Sequence, residues 1–358
     1  MINYLFHKIG YACITLLGVI TVIFFLFNIL PGDPAKMMLG QNQTEAQVQA
    51  VKQKYGFDQP IGTQFLYYLN DLSPLSFHAT NPEDYTYLAP NKYTATELFQ
   101  IGQTITVLKA PYLRESFTKQ GKKVTQVIGE TLPNTFVLAV SAIMIAICLG
   151  IIFGIISALY KDTWIDKSIQ VLSTLGMSVP SFFSAILFAW LFGFVWHKYT
   201  GLEMTGSLYE LDDFGEEMTI QWKNLILPAV VLGIRPLAVV IQLMRNSLLD
   251  VLNQDYIRTA RAKGLTAFQV IKNHAVKNAL NPVVTAISGW FASMLAGAVF
   301  VEYIFGWNGL GKEIVNALNT LDLPVIMGAV LVIAILFITI NIFVDIIYAW
   351  LDPRVKLS

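Results

Sequence analysis

Cysteine, histidine and charge are all scarce in this sequence, and each shortage closes off a set of functions. Its two cysteines, Cys13 and Cys148, both lie inside apolar runs, so a disulfide framework or a cysteine-based metal site is not expected. The four histidines (His7, His78, His197 and His274) are scattered without ligand spacing, and no metal site is expected from them either. Charged residues make up only 13% of the 358, against about 25% in soluble globular chains. The formal charges sum to zero, so the total points to no nucleic-acid partner and only the distribution of charge is informative. Catalytic patterns are missing too: there is no G-x-S-x-G elbow, no H-E-x-x-H and no pair of intramembrane carboxylates. One motif nearly forms. "GWNGLGKE", Gly306 to Glu313, fits G-x-x-x-x-G-K, but Glu313 stands where Ser or Thr should bind magnesium, and no strand precedes it. It is rejected as a nucleotide site, so no catalytic residue and no cofactor is expected in the chain.

What is present is apolar length: 55% of the residues are hydrophobic. Six segments approach or exceed the ~20 residues that a helix needs to cross a bilayer: Ile9–Leu30, Thr135–Leu159, Ile169–Trp196, Leu225–Met244, Pro282–Val301 and Val325–Leu351. The expected fold class is therefore all-α and integral to the membrane, with six transmembrane helices. The first run is too long for a signal-peptide core and ends in "NILPGDP" with no small-residue cleavage site, so it reads as a retained span. Lys and Arg set the orientation. Eleven (Lys8, Lys161, Lys167, Arg245, Arg258, Arg261, Lys263, Lys272, Lys277, Arg354 and Lys356) fall on one side; Lys198, Lys223 and Lys312 fall on the other. That places both termini in the cytoplasm.

The division follows. Residues 1–30 hold the first cytoplasmic end and span, and 31–134 form a large external loop. Residues 135–351 form the core, with a cytoplasmic loop at 246–281, and 352–358 are a cytoplasmic tail. In the external loop, Thr44 with Gln47 three on, then Val48, Val51, Tyr55 and Gly56, predicts a capped helix. The third loop carries Glu203, Glu210, Asp212, Asp213, Glu216 and Glu217 and reads as a solvated acidic rim. Two stripes of small residues, Ala146/Gly150/Gly154/Ala158 and Gly289/Ser293/Gly297, allow close helix packing, within the chain or against another subunit. Gly176 and Pro180 should kink the third span, whose hydroxyls (Ser173, Thr174, Ser178, Ser181, Ser184) either line a polar path or satisfy freed carbonyls. Arg235 sits midway along the fourth span beside Pro236. An Arg there costs roughly 2.5–3.5 kcal/mol on insertion scales. It therefore either makes a structural pair or stands on a translocation path, where it would attract a carboxylate. Asp345, near the end of the last span, reads as a structural partner. Arg235, Ser178, Ser181 and Ser288 are the path candidates.

The most informative stretch is polar: "DYIRTARAKGLTAFQVIKNHAVKNALNP", Asp255 to Pro282. A helical pattern runs from Ser247 to Lys263, Gly264 stops it, and Thr266 with Gln269 caps a second helix toward Asn281. A basic amphipathic segment resting on anionic lipid is one reading. A sharp stop followed at once by a fresh cap is more than adsorption requires. It suggests a rigid element that another protein grips, with Ala260 and Ala262 leaving part of its surface low.

This stretch resembles the cytoplasmic coupling loop of binding-protein-dependent ABC importer permeases, specifically the peptide/nickel branch, and most closely the first-subunit type of oligopeptide and dipeptide systems. "LPGDP" (30–34), "KYGFDQPIGTQFLYYL" (54–69), "SFTKQGKKVTQVIGETLPNTFVLA" (116–139), "SVPSFF" (178–183), "VEYIFGWNGLGK" (301–312) and "LDPR" (351–354) agree with it in order along nearly the whole chain. The resemblance implies a type I ABC importer permease (MetI-like) fold in the cell inner membrane. It implies a homologous second permease, two ABC ATPase subunits that bind ATP and Mg, and an extracytoplasmic solute-binding protein. It implies that Asp255, Tyr256, Arg258, Thr259, Ala260, Arg261, Ala262, Lys263, Gly264 and Leu265 form the ATPase-coupling loop. Two departures stand out. Arg258, Thr259 and Ala260 occupy positions where the wider EAA-type signature has Glu-Ala-Ala, so a Glu-mediated contact does not carry over. Residues 74–110 run on where relatives pass quickly. Peptides are the expected substrate, with nickel or another small solute as the alternative. A non-transporting membrane scaffold or receptor is a rival of another class. A secondary transporter is disfavoured because neither inverted repeats nor midplane ion ligands are apparent.

Overall fold

The computed structural model describes residues 2–29, 33–39, 43–82, 84–90, 92–211, 215 and 217–351. Helix α1 (Ile2–Ile29) is followed by α2 (Pro34–Leu39), α3 (Glu45–Tyr55) and α4 (Ile61–Leu72). Three strands come next, β1 (Leu75–Ala79), β2 (Ala95–Ile101) and β3 (Thr104–Lys109). Then come α5 (Val124–Leu159), α6 (Trp164–Ser178) and α7 (Ser181–Phe188), which continues as a π-helical stretch over Ala189–Val195. The short α8 (His197–Thr200) and a hairpin of β4 (Tyr209–Leu211) and β5 (Met218–Ile220) lead into α9 (Lys223–Leu252). Helices α10 (Asp255–Ala262) and α11 (Ala267–Val270) precede a second π-helical stretch, Ile271–Ala275, which runs into α12 (Val276–Gly297). The chain continues with α13 (Val299–Phe305), α14 (Leu310–Thr320) and α15 (Leu323–Leu351).

Among the described residues, four helices are long and apolar enough to cross a membrane: His7–Asn28, Val124–Leu159, Lys223–Leu252 and Leu323–Val344. Two bent pairs, Trp164–Ser178 with Ser181–Val195 and Ala267–Leu295 with Val299–Phe305, bring the number to six if each crosses once. The third run is therefore not one kinked helix. It turns by 108°, because Val179, held extended before Pro180 (ψ 130°), ends α6, and Pro180 starts a new helix. The fifth run does not begin at Pro282 either: that residue lies inside α12, which grows out of the basic loop without a stop. Strands are confined to loops, so the spans remain all-helical.

The contacts divide the chain into two compact units, the first comprising the described residues of Met1–Lys8, Thr131–Glu313 and Ile335–Ser358, the second those of Ile9–Glu130 and Ile314–Ala334. In the second unit, α1 packs on α4 through Phe24, buried among Phe25, Phe65 and Tyr68 at ring distances of 5.5, 5.1 and 5.6 Å. The expected capped helix is α3. Thr44 and Gln47 form its reciprocal capping box, and Gly56 ends it at φ +68°. Residues 74–110 contain an antiparallel sheet of order β1-β3-β2. One sheet face leaves Leu75, Phe77, Phe99, Ile101 and Leu108 exposed. The sheet is pinned to α4 by the buried Asp71, whose carboxylate accepts from Tyr93 Oη (2.9 Å) and Arg114 Nε (2.9 Å). Lys109 Nζ donates to the Asp71 carbonyl at 2.5 Å. Burial holds Lys109 below its ordinary pKa and raises Tyr93, with Asp71 adding to the latter. A second latch is Asp322, just before α15: its carboxylate accepts from the Ser116 hydroxyl, from the backbone N–H groups of Phe117 and Thr118 (both 3.1 Å), and from Thr118 Oγ1 (2.8 Å).

In the first unit, the stripe on α5 packs inside the chain. A Cβ on Gly150 would stand 2.8 Å from Val240 Cβ, and one on Gly154 would stand 2.6 Å from Met244 Cβ, so α9 lies directly against those glycines. Gly289 of the other stripe has nothing within 4 Å of that point, and Ser293 is exposed. A carboxylate again fixes the corner between α5 and α6. Asp166 accepts Arg245 Nε (2.7 Å) and Nη2 (2.6 Å), the Ser157 hydroxyl (2.5 Å) and the Asp162 backbone N–H (3.0 Å). The non-glycine residues with positive φ each stand beside or near one of these latches: Arg114 (67°) bonds Asp71, Asp162 (62°) bonds Asp166, and Leu321 (53°) precedes Asp322. That backbone strain, of order 1–3 kcal/mol each, is held in place by buried hydrogen bonds nearby.

Candidate functional site

The basic loop begins where α9 ends at Asn253. The sequence pattern suggests one helix from Ser247 to Lys263, but the chain breaks at Asn253–Gln254, and α10 is a separate eight-residue helix. Lys263 closes it, and Gly264 follows at φ +82° with open space around its Cα, a conformation that an L side chain rarely adopts. Thr266 then caps α11. Its Oγ1 accepts from Gln269 N (3.4 Å), and Gln269 Oε1 accepts from Thr266 N (3.0 Å).

The two sides of α10 differ sharply. Ile257 and Ala260, one turn apart, are 0% and 6% exposed and pack into a core with Val240, Met244 and Leu248 of α9 and with Val270, Ala275, Ala279 and Val283. Burying an Ile side chain in this way contributes about 1.5–3 kcal/mol, so α10 is fixed to the ends of α9 and α12. Ala260 therefore does not lower the outer surface as expected; it faces inward, and only Ala262 leaves the outer side low. Tyr256 braces the same joint, its hydroxyl accepting from Asn278 Nδ2 at 2.9 Å. The outward side carries Asp255, Arg258, Thr259, Arg261, Ala262, Lys263 and Gly264, all exposed, with Leu265 half-buried. Asp255 and Arg258 form only a loose surface pair at 3.6 Å. Phe268 is exposed beside them on α11, 5.8 Å from Lys272 Nζ. The result is a rigid, mostly basic ledge with an aromatic neighbour, bolted to the span that carries Arg235.

Arg235 opens into a cavity of about 100 Å³ lined by Gly176, Val179, Ser181, Ser184, Val231, Leu232, Ile234, Trp290, Ser293 and Met294. Of the four path candidates, the structure brings Arg235 and Ser181 together here. Ser178 and Ser288 do not line this cavity; their hydroxyls donate to Thr174 O (2.8 Å) and Val284 O (2.9 Å) of their own helices. Ser184, one turn after Ser181, was visible as the second hydroxyl of that face. Trp290 and Ser293 were not legible as cavity residues, because their approach depends on how α12 packs on α9. Asp345 lies outside the described side chains.

The rejected phosphate-loop look-alike is a structural lock. Glu302, fully buried, takes the backbone N–H groups of Gly311 (2.7 Å) and Lys312 (3.2 Å) on one carboxylate oxygen. The amides that would have held a phosphate are thus occupied by the protein's own carboxylate. Trp307, also fully buried, donates from Nε1 to Asn134 O (3.0 Å), and Leu310 N donates to Thr135 Oγ1 (2.8 Å). Sequence reasoning passed over Glu302, although a carboxylate in an apolar run five residues before a Trp-Asn-Gly-Leu-Gly turn is a visible signal. The acidic loop likewise has a structural member. Glu210 accepts from Ser207 N (2.9 Å) and Asn224 Nδ2 (3.1 Å); Asp212, Asp213 and Glu216 lie outside the described residues.

Apolar spans, a broken helix beside the intramembrane Arg235, which is exposed on this chain, and a basic ledge at the end of the same span define a membrane transport component with no catalytic constellation among the described residues. Residues 150–357 match the family described as binding-protein-dependent transport system inner membrane component, and residues 1–78 match its N-terminal counterpart. The chain belongs to that family, the permease subunits of ABC importers. It is 31% identical over 369 residues to the dipeptide transport system permease protein DppB of Alkalihalophilus pseudofirmus, covering 99% of this chain and 100% of that one. It is 33% identical over 362 residues, with full coverage of both, to a protein of Brucella suis biovar 1 provisionally named a peptide permease. Among solved structures, a chain of the MetNI methionine ABC transporter in inward-facing conformations matches with a TM-score of 0.50 at 13% identity, over 64% of this chain and 97% of that chain, a likeness of fold.

Proposed function

We propose that this chain is the permease half of a peptide importer, paired with a homologous permease and driven by two separate ABC ATPase subunits that bind the ATP and Mg. The basic loop lies in the cytoplasm, as do both termini, a placement supported by the uneven distribution of Lys and Arg. A solute-binding protein delivers substrate on the opposite side, where the exposed apolar sheet face of residues 74–110 is available to it. The peptide assignment is supported by the names of the relatives. The observation that carries the coupling role is the two-sidedness of α10: Ile257 and Ala260 lock it to α9 and α12, and its basic outer side is left bare. ATPase closure then moves α10 and the attached spans as a rigid body, switching the path between outward- and inward-open states. The test is the complete transporter in proteoliposomes, assayed for peptide-stimulated ATP hydrolysis. Arg261→Glu is expected to abolish stimulation while the chain still folds and inserts. Unchanged stimulation in that variant would remove the coupling role.

A further inference from the structure

The hairpin between the third and fourth spans carries an apolar face where an acidic loop is expected to be polar throughout. Strands β4 and β5 pair Tyr209 with Ile220 and Leu211 with Met218. Strand alternation puts these four side chains on one face. All four are exposed, Leu211 and Met218 by 61% and 68%. The opposite face is polar and satisfied within the chain. Glu210 is held by Ser207 N and Asn224 Nδ2, Thr219 Oγ1 donates to Glu210 O (3.1 Å), and Gln221 Nε2 donates to Thr219 Oγ1 (3.1 Å). A hairpin of two strands with three residues each is marginal in water, so an apolar face left to solvent is a poor use of it.

Depth identifies what covers that face. The segment entering β4 lies against the third span: a Cβ on Gly193, inside the stretch Ser181–Val195, would stand 2.7 Å from Met204 Cα. Leu208, the residue before β4, is buried in the core of the spans with Phe305 and Trp307. On the exit side, Gln221 N donates to Leu208 O (2.8 Å), and α9 starts at Lys223. Both ends of the hairpin are therefore tied to span ends, at the end of α9 opposite the basic ledge. Extended chain covers ~3.3 Å per residue, so Ile220 stands within about 10 Å of the first residue of α9. Exposed apolar side chains on the flanking elements reach the same level, Phe194 and Trp196 on one side and Trp222 and Ile226 on the other.

Two features favour lipid over a protein partner. The face consists of large aliphatic and aromatic side chains, whereas seams between membrane helices are rich in small residues. It also holds no charged side chain, and it is flanked by tryptophans, which gather at headgroup level. We infer that the β4–β5 hairpin is an in-plane membrane anchor. Its Tyr209, Leu211, Met218 and Ile220 face sinks into the headgroup–acyl boundary of the leaflet opposite the basic ledge and holds the ends of two spans at a fixed depth. The connection between the strands contains Asp212, Asp213, Glu216 and Glu217 in sequence, which limits insertion to the strands. Zwitterionic lipid suffices, because the face offers no cation to an anionic headgroup. The inference needs only the membrane-spanning reading, not the peptide substrate.

The experiment uses the complete transporter in phosphatidylcholine nanodiscs, with the exposed Cys13 and Cys148 replaced by serine. Leu211→Cys, Met218→Cys and Glu217→Cys each carry a polarity-sensitive nitrobenzoxadiazole dye. Spin-labelled phosphatidylcholine is expected to lower the fluorescence at Leu211→Cys and Met218→Cys roughly twofold or more, a label near the headgroup acting more strongly than one at the chain end, as a depth of ~5–10 Å requires. The dye at Glu217→Cys, beside the acidic connection, should be quenched by aqueous iodide instead. The pattern should be the same with and without the binding protein. Dyes at Leu211→Cys and Met218→Cys that iodide quenches and labelled lipid does not would overturn the anchor. Protection from iodide without lipid quenching would overturn it too, as cover by the second permease produces that result. Protection that appears only on adding the binding protein would assign the face to that protein and again overturn the anchor. A dye at Ile220→Cys should lose about half of its lipid quenching when Leu211→Gln and Met218→Gln are added; unchanged quenching would show that the dye, not the face, seeks the bilayer. None of these readings depends on transport, so peptide-stimulated ATP hydrolysis by the same samples tests the importer reading separately.

Discussion

Removing the Asp166 carboxylate should cost more stability than almost any surface change in this chain, and the reason is countable. Four donors converge on it: two from the Arg245 guanidinium at 2.6 and 2.7 Å, the Ser157 hydroxyl and the Asp162 backbone N–H. The Asp166 side chain is 4% exposed and that of Arg245 18%, so water cannot readily replace either partner. Asp166→Ala leaves a guanidinium stranded against the α5–α6 corner, and breaking a buried pair from one side typically costs about 3–5 kcal/mol. Against a total of ~5–15 kcal/mol for a folded domain, that is a large fraction. Removing both charges in Asp166→Ala/Arg245→Met strands nothing, and the double variant should recover at least about 2 kcal/mol relative to Asp166→Ala. The assay is unfolding of the purified permease in detergent, followed by tryptophan fluorescence, for the four members of the cycle. An Asp166→Ala loss below about 1 kcal/mol, or a double variant no more stable than the single, would refute the reasoning.

Other predictions follow from the same geometry. Ile257→Ala, on the inward side of α10, should cost about 2–5 kcal/mol of stability, whereas Arg258→Ala on the outward side should lie within ~0.5 kcal/mol of wild type; thermal unfolding of each variant checks the contrast. Gly311→Ala would place a Cβ 2.9 Å from the Glu302 carboxylate and 3.0 Å from Val299 N, so it should destabilise by about 1–3 kcal/mol or more and lower the yield of folded permease in the membrane fraction. His78 is buried, with Nδ1 donating to the Thr86 carbonyl (2.9 Å) and Nε2 accepting from the Ser76 hydroxyl (3.0 Å). Burial holds its pKa below the usual value of about 6.5, so the unfolded chain takes the extra proton first. The stability that this histidine contributes is therefore present above pH ~6.5 and lost as the pH falls below it. Hydrogen exchange over residues 74–112 should accelerate at pH 5 relative to pH 7.5 after intrinsic-rate correction, and His78→Gln should flatten that difference.

Length and apolarity made the spans legible, because a run of ~20 apolar residues has few other uses. The caps were legible for a similarly local reason: Thr44 with Gln47 and Thr266 with Gln269 each satisfy helix-end donors within four residues. Tertiary packing decided what was missed. Gly176 and Pro180 suggested a kink, yet the chain turns by 108° at the extended Val179 before Pro180, and the close approach of Gly176 to Ile234 of α9 is a contact the sequence does not print. The Ile257/Ala260 spacing does announce a buried stripe on α10. Reading the loop for charge alone hid it, and that is why Ala260 looked like surface. The segment at 75–79 alternates apolar with polar residues, and a Gly102–Gln103 turn joins the strands at 95–101 and 104–109, signals present in the sequence that were not read as strands within the large external loop. The choice between a structural pair and a path residue for Arg235 could not be made from sequence, since it depends on whether any acidic group of the fold reaches that residue.

The central claim is that the outward side of α10 is the surface on which an ATPase subunit seats. It is tested most directly by disulfide or short-linker cross-linking in the assembled transporter, after replacing the exposed native Cys13 and Cys148. Cysteines at Arg258 and Ala262 should cross-link to the ATPase subunit in a nucleotide-dependent manner, and a cysteine at the buried Ile257 should not. Cross-links absent from both outward positions, with the ATPase captured from another loop, would contradict the account.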